Sequence, residues 1–508
     1  MSLDVGLSLP GSKAARRGIW TVTPLHAVVA VFLVAIMLRG VLPFNVDVSW
    51  WLTICERMLD GQRLYVDILE TNPPMAGSVY MLGVVVARAI QVRPEVVTNG
   101  LIFLLIAASL ALTWRALRLS SLHERAGGAA AIWAVVLLTV LPMYDFGQRE
   151  HLALVAMLPA LAVYILRANR ERVAPWAILI AGLCAATTMS FKPYFVFAAG
   201  FCILSAAAQA RDWRVLFAPE NWIAAALVVI HALCIVAFYP EYFTLIYPLA
   251  RDVYLLANLP LLVILPTSAT MLWLLAIMVT LALQSRRQKA DAATLVMMAG
   301  SLGFAVSFFM QAKGWGYHAY PMVALGLLAA GWALAAGGDG QAGSRPLRAG
   351  AMLLVALIFA NGCFRFATSI DTRLVREEIT LIGPRPKILM LSAANDIGHP
   401  TVRELGGTWV SRQQALWVRE VVRRALRDGT IDQATADRLA TYVARERAGL
   451  IDDFRKQPPD VLVIDNQNSD WGSWAAADPE LSVLLKPYVL VKNINGIEIL
   501  RRADQARS

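Results

Sequence analysis

A polar stretch interrupts the apolar N-terminal region of this chain: NVDVSWWLTICERMLDGQRLYVDILETNPP, residues 45–74. It comes directly after a first hydrophobic segment, has Asp47 near its start and ends on Pro73-Pro74. An acidic, tryptophan-rich stretch between apolar segments is expected at a membrane surface, where aromatic rings and charged groups meet water. The stretch therefore predicts an external loop of a membrane protein.

The first half of this loop has helical spacing. Between Asp47 and Asp60 the apolar residues recur at every third or fourth position, and Gly61 follows as a helix C-terminal residue. This pattern predicts an amphipathic helix in the membrane interface, with Trp50 and Trp51 at headgroup depth. Asp47 stands at its N-terminus, so one interpretation is that its carboxylate only caps the helix.

The composition is that of a membrane protein. Of 508 residues, 58% are hydrophobic and 16% are charged, against about 45–50% and about 25% in soluble domains. Apolar runs long enough to cross a bilayer recur, so we predict an α-helical polytopic membrane protein with about 11–12 transmembrane helices. The predicted crossings are 24–44, 97–117, 126–142, 151–167, 175–191, 194–210, 221–239, 261–283, 292–311, 319–336 and 349–367, with Met75–Ile90 as an ambiguous further one.

Basic residues between the crossings predict the orientation, since Lys and Arg collect on the cytoplasmic side. All basic turns fall inside together if residues 75–90 do not cross, which leaves a long first external loop, 45–96. The N-terminus is then inside and the C-terminus outside. The basic residues are Lys13, Arg16 and Arg17; Arg115, Arg118 and Arg125; Arg167, Arg170 and Arg172; Arg211 and Arg214; Arg286, Arg287 and Lys289; Arg345 and Arg348.

The net charge of +10 is explained by these inner turns and does not indicate nucleic-acid binding. The five cysteines and six histidines have no metal or disulfide spacing. No internal repeat of fixed period is present, which gives no support to a transporter built from repeats.

The composition changes after about residue 369, and strand-like runs alternate with charged helical stretches. Apolar runs at 388–391 and 460–465 predict strands, and residues 488–500 predict a hairpin that turns at Asn493–Gly496. This order predicts a small C-terminal α/β extracytoplasmic domain. The predicted domains are a cytoplasmic tail 1–23, a membrane domain 24–368 and a periplasmic α/β domain 369–508. The last is interpreted as a cap over the membrane site or as a part that recognises an acceptor.

The turns predicted on the outer face carry most of the polar chemistry, whereas the inner turns carry little but arginine. Charged residues near membrane depth are candidates for a functional site. The outer candidates are Asp47, Glu70 and Asn72 in the first loop, Asp145, Gln148, Arg149 and Glu150 before the span 151–167, Lys192 beside Pro193, and Lys313, Tyr317 and His318 in a glycine-containing turn.

The order of these features resembles that of the GT-C membrane glycosyltransferases, such as the aminoarabinose and protein mannosyl transferases, which use lipid-phosphate sugars. The resemblance rests on Asp47, on Pro73-Pro74 about 25 residues after it, on the turns at 145–150 and 313–318, and on the small terminal domain with its strand pair. It covers nearly the whole chain and implies a GT-C-like fold with Asp47 as the general base. Val48 and Asn72 stand where relatives often carry other charged residues, so no metal ligands are assigned.

The chemistry that the resemblance implies explains the residue types. An acceptor hydroxyl must lose a proton as it attacks the sugar, which requires a positioned carboxylate. The leaving phosphate requires cations and hydrogen-bond donors, or a divalent metal as cofactor. The remaining candidates, Glu70, Asn72, Asp145, Gln148, Arg149, Glu150, Lys192, Lys313, Tyr317 and His318, are expected to bind the donor and its phosphate.

The resulting prediction is a glycosyltransferase that moves a sugar from a polyprenyl-phosphate donor to a glycan, lipid or protein acceptor. It would work on the periplasmic face of a bacterial inner membrane, among membrane lipids and without nucleic acid. The alternative is a polytopic glycan polymerase or ligase, or a transport protein for lipid-linked sugars. A large external loop late in the chain would favour a ligase, whereas the long loop here comes first.

Overall fold

The computed structural model describes residues 24–285, 287, 290–336 and 345–504, and of residues 123–126 the backbone. The predicted tail 1–23, with Lys13, Arg16 and Arg17, lies outside the described residues, as do Arg286 and Lys289. In the N-terminal part the helices are α1 (Pro24–Val41), α2 (Val46–Leu59), α3 (Met75–Ile90), α4 (Pro94–Leu117), α5 (Ser121–Thr139), α6 (Arg149–Ala168), α7 (Pro175–Phe191), α8 (Val196–Ala210), α9 (Pro219–Phe238), α10 (Tyr247–Asp252), α11 (Leu261–Ile264), α12 (Ser268–Ser285), α13 (Ala292–Gln311), α14 (Gly316–Ala335) and α15 (Arg345–Phe366).

Among the described residues, nine helices are long and apolar enough to cross a membrane. Three shorter apolar helices, Met75–Ile90, Gly127–Thr139 and Pro175–Phe191, add to them. The predicted crossing 261–283 is interrupted: α11 ends at Ile264, and Pro266 separates it from α12 because proline cannot donate the backbone hydrogen bond of a continuous helix. The predicted fold class is confirmed, and the number of crossings and their orientation stay predictions.

The helix bundle has a buried centre and an apolar outside. Most of α6 is buried along its length, whereas α1 and α9 have few buried residues. Their outward side chains are nonetheless apolar, for example Leu33, Phe238 and, on α15, Leu353. An apolar surface of this extent is stable only against an apolar solvent, which is the reason for assigning these helices to a bilayer.

Helix α2 is buried, so the prediction that it presents Trp50 and Trp51 to the membrane interface is wrong, whereas their depth stays a prediction. Both rings are 1% exposed. Trp51 stacks on Tyr80 of α3, with 6.3 Å between ring centres, and Trp50 meets the edge of His399 from the C-terminal region at 5.3 Å. The aromatic side chains of the helix that looked suited to lipid are therefore covered by protein.

The C-terminal region forms the predicted α/β domain. Its elements are α16 (Arg373–Ile382), β1 (Lys387–Leu391), α17 (Asn395–Gly398), α18 (Thr401–Glu404), β2 (Thr408–Trp409), α19 (Trp417–Arg427), α20 (Gln433–Lys456), β3 (Val461–Asp465), α21 (Trp471–Ala477), α22 (Pro479–Leu485), β4 (Tyr488–Ile494) and β5 (Ile497–Arg502). The strand order is β2-β1-β3-β5-β4. Strand β1 is parallel to β2 and β3, and β5 is antiparallel to β3 and β4.

The predicted terminal hairpin is confirmed. Strands β4 and β5 are joined through Asn495 and Gly496, whose φ angles of 52° and 92° are both positive. Asparagine and glycine are the residues that adopt this left-handed conformation most easily, and two such residues match the twist of the flanking strands.

The domain is docked onto the segment between α1 and α4 and onto the start of α4. Arg403 of α18 donates to Glu56 on α2 and to Glu95 on α4, the latter from Nε to Oε1 at 2.7 Å. The amide of Leu69 donates to the Arg412 carbonyl at 2.7 Å, which adds a backbone bond between loop and domain. These contacts fix the domain against the end of the bundle where the candidate site lies.

Candidate active site

A polar cavity of about 940 Å³ lies between the helix bundle and the C-terminal domain. It collects candidates that are widely separated in the sequence. Nine of the eleven line it: Asp47, Glu70, Asn72, Asp145, Arg149, Lys192, Lys313, Tyr317 and His318. The remaining two, Gln148 and Glu150, do not line the cavity but bind residues that do.

Asp47 does not cap its helix, so the capping interpretation is wrong. The N-cap of α2 is Asn45, whose side-chain oxygen accepts from the amides of Asp47 and Val48. The Asp47 carboxylate instead faces the start of α6. Its Oδ2 accepts from Gln148 Nε2 at 3.1 Å and from Arg149 Nη2 at 3.4 Å. Its Oδ1 accepts no hydrogen bond from the described residues and remains available to a ligand.

Glu70 holds the first loop in shape. Its Oε2 accepts from the indole Nε1 of Trp50 at 2.8 Å, and its Oε1 accepts from the backbone and side-chain amides of Asn72 at 2.8 and 2.5 Å. Tyr65 completes the turn by donating to the Asn72 carbonyl at 2.7 Å. Both carboxylate oxygens are thus engaged by the protein, which makes Glu70 less available as a base than Asp47.

Lys192 lies at the centre of a buried cluster formed by α6, α13 and α14. Its Nζ donates to Glu150 Oε1 at 2.5 Å and to Gln311 Oε1 at 2.8 Å, and it lies 3.0 Å from Nε2 of His318. An ammonium group only donates, so Nε2 of His318 accepts and the imidazole carries its proton on Nδ1. All three N–H bonds of Lys192 are therefore directed at protein groups.

Lys313 is held more loosely than Lys192. Its Nζ donates to the Tyr254 carbonyl at 2.6 Å and lies 3.8 Å from the centre of the Tyr254 ring. No carboxylate pairs with it among the described residues. Burial lowers the pKa of Lys313 to about 8, because the charged form loses contact with water. A bound anion would restore the stability of that charge.

Two further charges line the cavity near the start of α6. Arg149 is 4% exposed, and its Nε and Nη1 have no hydrogen-bond partner within the described part of the chain. Burial raises the pKa of Asp145 well above its ordinary value, with the nearby Glu150 adding to the effect. Asp145 is thereby shifted toward its neutral form, whereas the arginine keeps its charge.

The C-terminal domain supplies a wall of the cavity, and its lining residues were not among the predicted candidates. The cavity-lining residues of α19 and its C-terminal end recur at helical spacing. This spacing is the signal in the sequence that could have shown that they share one face of a helix. A second missed group comes from the membrane part, namely Arg365 and the loop 254–260. The domain's lining residues are Ala393, Asn395, Asp396, Gln413, Gln414, Ala415, Trp417, Glu420, Val421, Arg424, Ala425, Asp428 and Thr430.

Within the described residues, no group of three or more His, Cys, Asp or Glu side chains is arranged to hold a metal ion. The arrangement places a carboxylate, Asp47, beside buried positive charge in a cavity whose volume of about 940 Å³ lies within the range of about 300–1,000 Å³ that is usual for ligand pockets.

No protein-family model and no curated protein sequence matches this chain. Among solved structures it is similar to ArnT from Cupriavidus metallidurans bound to undecaprenyl phosphate, with a TM-score of 0.55 and 14% identity over 93% of this chain and 97% of ArnT. The archaeal oligosaccharyltransferase AglB from Archaeoglobus fulgidus, in complex with an inhibitory peptide and a dolichol phosphate, gives a TM-score of 0.47 and 13% identity over 92% of this chain and 72% of AglB. The likeness to ArnT over both chains confirms the predicted GT-C-like fold.

Proposed function

We propose that this protein is a membrane glycosyltransferase that moves a sugar from a polyprenyl-phosphate donor to an acceptor hydroxyl. The observation that carries the proposal is the Asp47 carboxylate, which lines a polar cavity beside the buried guanidinium of Arg149. The fold adds support, because its solved neighbour ArnT was crystallised with undecaprenyl phosphate. A lipid-linked donor also suits a cavity at the end of an apolar helix bundle.

In the proposed reaction Asp47 acts as the general base. The acceptor oxygen forms a bond to the anomeric carbon, its proton moves to Oδ1 of Asp47, and the bond between that carbon and the phosphate oxygen breaks. The polyprenyl phosphate leaves with the bonding electron pair. Gln148 and Arg149 hold Oδ2 of Asp47, which would leave Oδ1 to accept the proton.

The cations of the cavity would stabilise the leaving phosphate. Arg149 and Lys313 have incomplete sets of protein acceptors, and Tyr317 adds a hydroxyl to the same lining. Preorganised donors of this kind stabilise a developing negative charge without having to reorient during the reaction. Lys192 and Glu150 would hold the lining in place rather than contact the donor.

The C-terminal domain would contribute to acceptor recognition. Trp417 contributes an aromatic surface to the cavity wall and meets the edge of Tyr254, with 5.8 Å between ring centres. Gln414 and Asp396 add polar groups on the same side. An aromatic surface with adjacent hydrogen-bonding groups suits a glycan, lipid headgroup or peptide whose reacting hydroxyl must be oriented.

The test is an assay of the full-length protein, purified in lipid nanodiscs, with a panel of polyprenyl-phosphate sugars. Release of polyprenyl phosphate in the presence of an acceptor extract supports the proposal. The proposal is contradicted if the wild-type protein releases no polyprenyl phosphate from any of the donors when acceptors from its native membranes are present.

The proposed periplasmic face of an inner membrane has its own test. A reporter that is active only in the periplasm should be active when fused after residue 370 and inactive when fused at residue 120 or 170. The opposite pattern would move the cavity to the cytoplasmic face and exclude the proposed location.

A further inference from the structure

A second cavity, of about 640 Å³, lies at the other end of the helix bundle. Helices α6 and α14 line both cavities. They begin at the polar cavity, with Arg149 and Gly316, whereas Leu161 and Trp332, further along the same helices, line the second cavity. At 1.5 Å per residue the two sites are roughly 20 Å apart along the helix axes, so they are separate.

The second cavity is apolar and is called the apolar cavity below. Among the described residues that line it, Thr113, Trp114 and Trp332 carry the polar side-chain atoms, and Nε1 of Trp332 donates to Asp291 at 2.8 Å. An apolar cavity excludes water, which would lack hydrogen-bond partners there, and one of about 150 Å³ takes a benzene molecule. The cavity here has about four times that volume, so it suits a hydrocarbon chain.

The position of the apolar cavity indicates which chain enters it. Leu25 on α1 and Trp114 on α4 both line it and are 68% and 39% exposed, so it opens to the outside of the bundle between these helices. It follows α4 from Ala107 to Leu117, a length of about 15 Å. This is half of the roughly 30 Å hydrocarbon core of a bilayer. The cavity therefore matches the depth of one leaflet, which is the length of a phospholipid acyl chain.

Two arginines lie where the apolar cavity reaches the end of α4. Arg115 stacks over the ring of Trp176 at 4.7 Å, and Arg118 follows Trp114 by one turn on the same face of the helix. Both are exposed, and within the described part of the chain no carboxylate pairs with either. Basic side chains at a membrane surface attract anionic headgroups. Their charge therefore favours an acidic phospholipid over a zwitterionic one.

We propose that the apolar cavity binds an acyl chain of one anionic phospholipid, whose phosphate lies at Arg115 and Arg118. The site belongs to the leaflet at the end of the bundle away from the polar cavity, and it does not depend on sugar transfer. The competing occupant is the isoprenoid tail of a polyprenyl phosphate. The phosphate of that lipid would lie in the polar cavity, so the arginines of α4 would have no headgroup to bind.

The headgroup is tested with the full-length protein in detergent, titrated with phosphatidylglycerol or phosphatidylcholine and observed by native mass spectrometry. We expect one tightly bound phosphatidylglycerol, with at least ten-fold lower affinity for phosphatidylcholine. Arg118→Gln and Arg115→Gln should each weaken phosphatidylglycerol binding about five-fold and leave phosphatidylcholine binding unchanged. Arg214→Gln is the control, because this exposed arginine between α8 and α9 does not line the cavity.

The acyl-chain site is tested by filling it. Ala134→Trp places a large ring inside the cavity, and Ala111→Leu narrows its exposed mouth with less disturbance of the packing. Both should weaken the binding of either phospholipid at least ten-fold. Ala232→Trp, on the exposed face of α9, is the matched control and should bind as the wild type does. Thermal unfolding midpoints identify any variant that has lost its fold.

Three results would overturn the proposal. Equal affinities of the wild type for phosphatidylglycerol and phosphatidylcholine would exclude the anionic headgroup. Wild-type phosphatidylglycerol binding by folded Ala134→Trp and Ala111→Leu would place the lipid elsewhere on the bundle. Displacement of the bound phosphatidylglycerol by undecaprenyl phosphate would assign the cavity to the isoprenoid tail.

Discussion

Oδ2 of Asp47 lies 3.4 Å from Nη2 of Arg149, although the two residues are 102 positions apart in the chain. The contact joins the first turn of α2 to the first residue of α6. Asn45 strengthens this junction, because its side-chain oxygen caps α2 and also accepts from Gln148 Nε2 at 2.9 Å. A carboxylate and a buried cation are thus held in one place by the starts of two helices, which is the arrangement on which the proposed reaction depends.

Asp47→Asn should abolish sugar transfer and leave the fold intact. Asparagine keeps the shape of the side chain and can still accept from Gln148, but it cannot take a proton from the acceptor. Loss of a general base reduces the rate by about 10²–10⁴-fold. Initial rates of polyprenyl phosphate release, together with the thermal unfolding midpoint, measure the two effects separately. Helix capping is unaffected because Asn45 provides it.

The matched control for Asp47→Asn is Asp60→Asn in the last turn region of the same helix. Asp60 is exposed and pairs with Arg88 at 3.0 Å, away from the cavity. Near-normal transfer by Asp47→Asn would exclude Asp47 as the base. Asp145 would then be a better candidate than Glu70, whose two oxygens already accept hydrogen bonds from Trp50 and Asn72.

Lys192→Ala should destabilise the protein more than it weakens donor binding. The change leaves Glu150, 1% exposed, without its ammonium partner, and loss of one member of a buried ion pair typically costs about 3–5 kcal/mol. Lys313→Ala should weaken donor binding more than it destabilises the protein. Lys313 donates to a carbonyl, so its removal leaves no buried carboxylate without a partner. Unfolding midpoints and undecaprenyl phosphate affinities of the two variants give the comparison. Equal stability losses would contradict it.

Donor binding should weaken as the pH rises through about 8. Burial lowers the pKa of Lys313 to about 8, so the charge that attracts a phosphate is present below this pH and lost above it. Burial also lowers the pKa of Lys192 to about 8, and Lys313→Arg therefore isolates the contribution of Lys313 by keeping its charge. Affinity for undecaprenyl phosphate between pH 7 and pH 9 should fall less in this variant than in the wild type.

The free energy of unfolding of the ligand-free protein should rise with pH over the range in which donor affinity falls. A lysine whose folded pKa is below its unfolded value of about 10.4 binds more protons in the unfolded state between pH 8 and pH 10. Its contribution to the free energy of unfolding therefore rises with pH in this window. If donor affinity falls with pH as steeply in Lys313→Arg as in the wild type, groups other than Lys313 cause the pH dependence of donor binding.

Arg403→Ala should loosen the C-terminal domain and reduce transfer. The Arg403 side chain is 9% exposed and bonds to Thr53, Glu56 and Glu95, which belong to two helices of the membrane part. Its removal leaves Glu56 without its ion-pair partner at the domain interface, whereas Glu95 keeps Arg93 at 3.4 Å. We expect faster hydrogen exchange in α2 and α18, and faster proteolysis of the C-terminal domain.

Arg376→Ala serves as the control for Arg403→Ala. Arg376 pairs with Glu404 inside the C-terminal domain, and both side chains are partly exposed, so the loss should be at most about 1 kcal/mol. If Arg403→Ala keeps wild-type exchange rates and transfer, the docking of the domain does not depend on this ion-pair network.

The fold class and the meeting of most candidate residues in one cavity were predictable from local patterns. A long apolar segment in a bilayer must satisfy its backbone hydrogen bonds internally, so it becomes a helix whatever its neighbours are. The terminal hairpin was predictable for a similar reason, because Asn495 and Gly496 adopt positive φ angles easily. Turns at one end of a helix bundle also come together of necessity, which brought Asp47, Arg149 and Lys313 to one cavity.

The roles of individual residues could not be predicted in this way. Trp50 looked suited to a membrane interface, but Glu70 and His399 cover it. Lys192 and Lys313 looked equivalent in the sequence, yet a buried carboxylate pairs with the first and a carbonyl with the second. In each case the partner comes from a distant part of the chain.

Local sequence was sufficient to predict a helical membrane protein with polar turns and a small α/β domain, because those features depend on the apolar and polar character of neighbouring residues. Three-dimensional contacts were needed to show that Asn45 caps the helix on which Asp47 stands and that residues of the C-terminal domain line the cavity. This is because the availability of a charged group depends on which atoms surround it in space. Contacts over a hundred or more residues, such as that between Asp47 and Arg149, leave no local pattern from which they could be inferred.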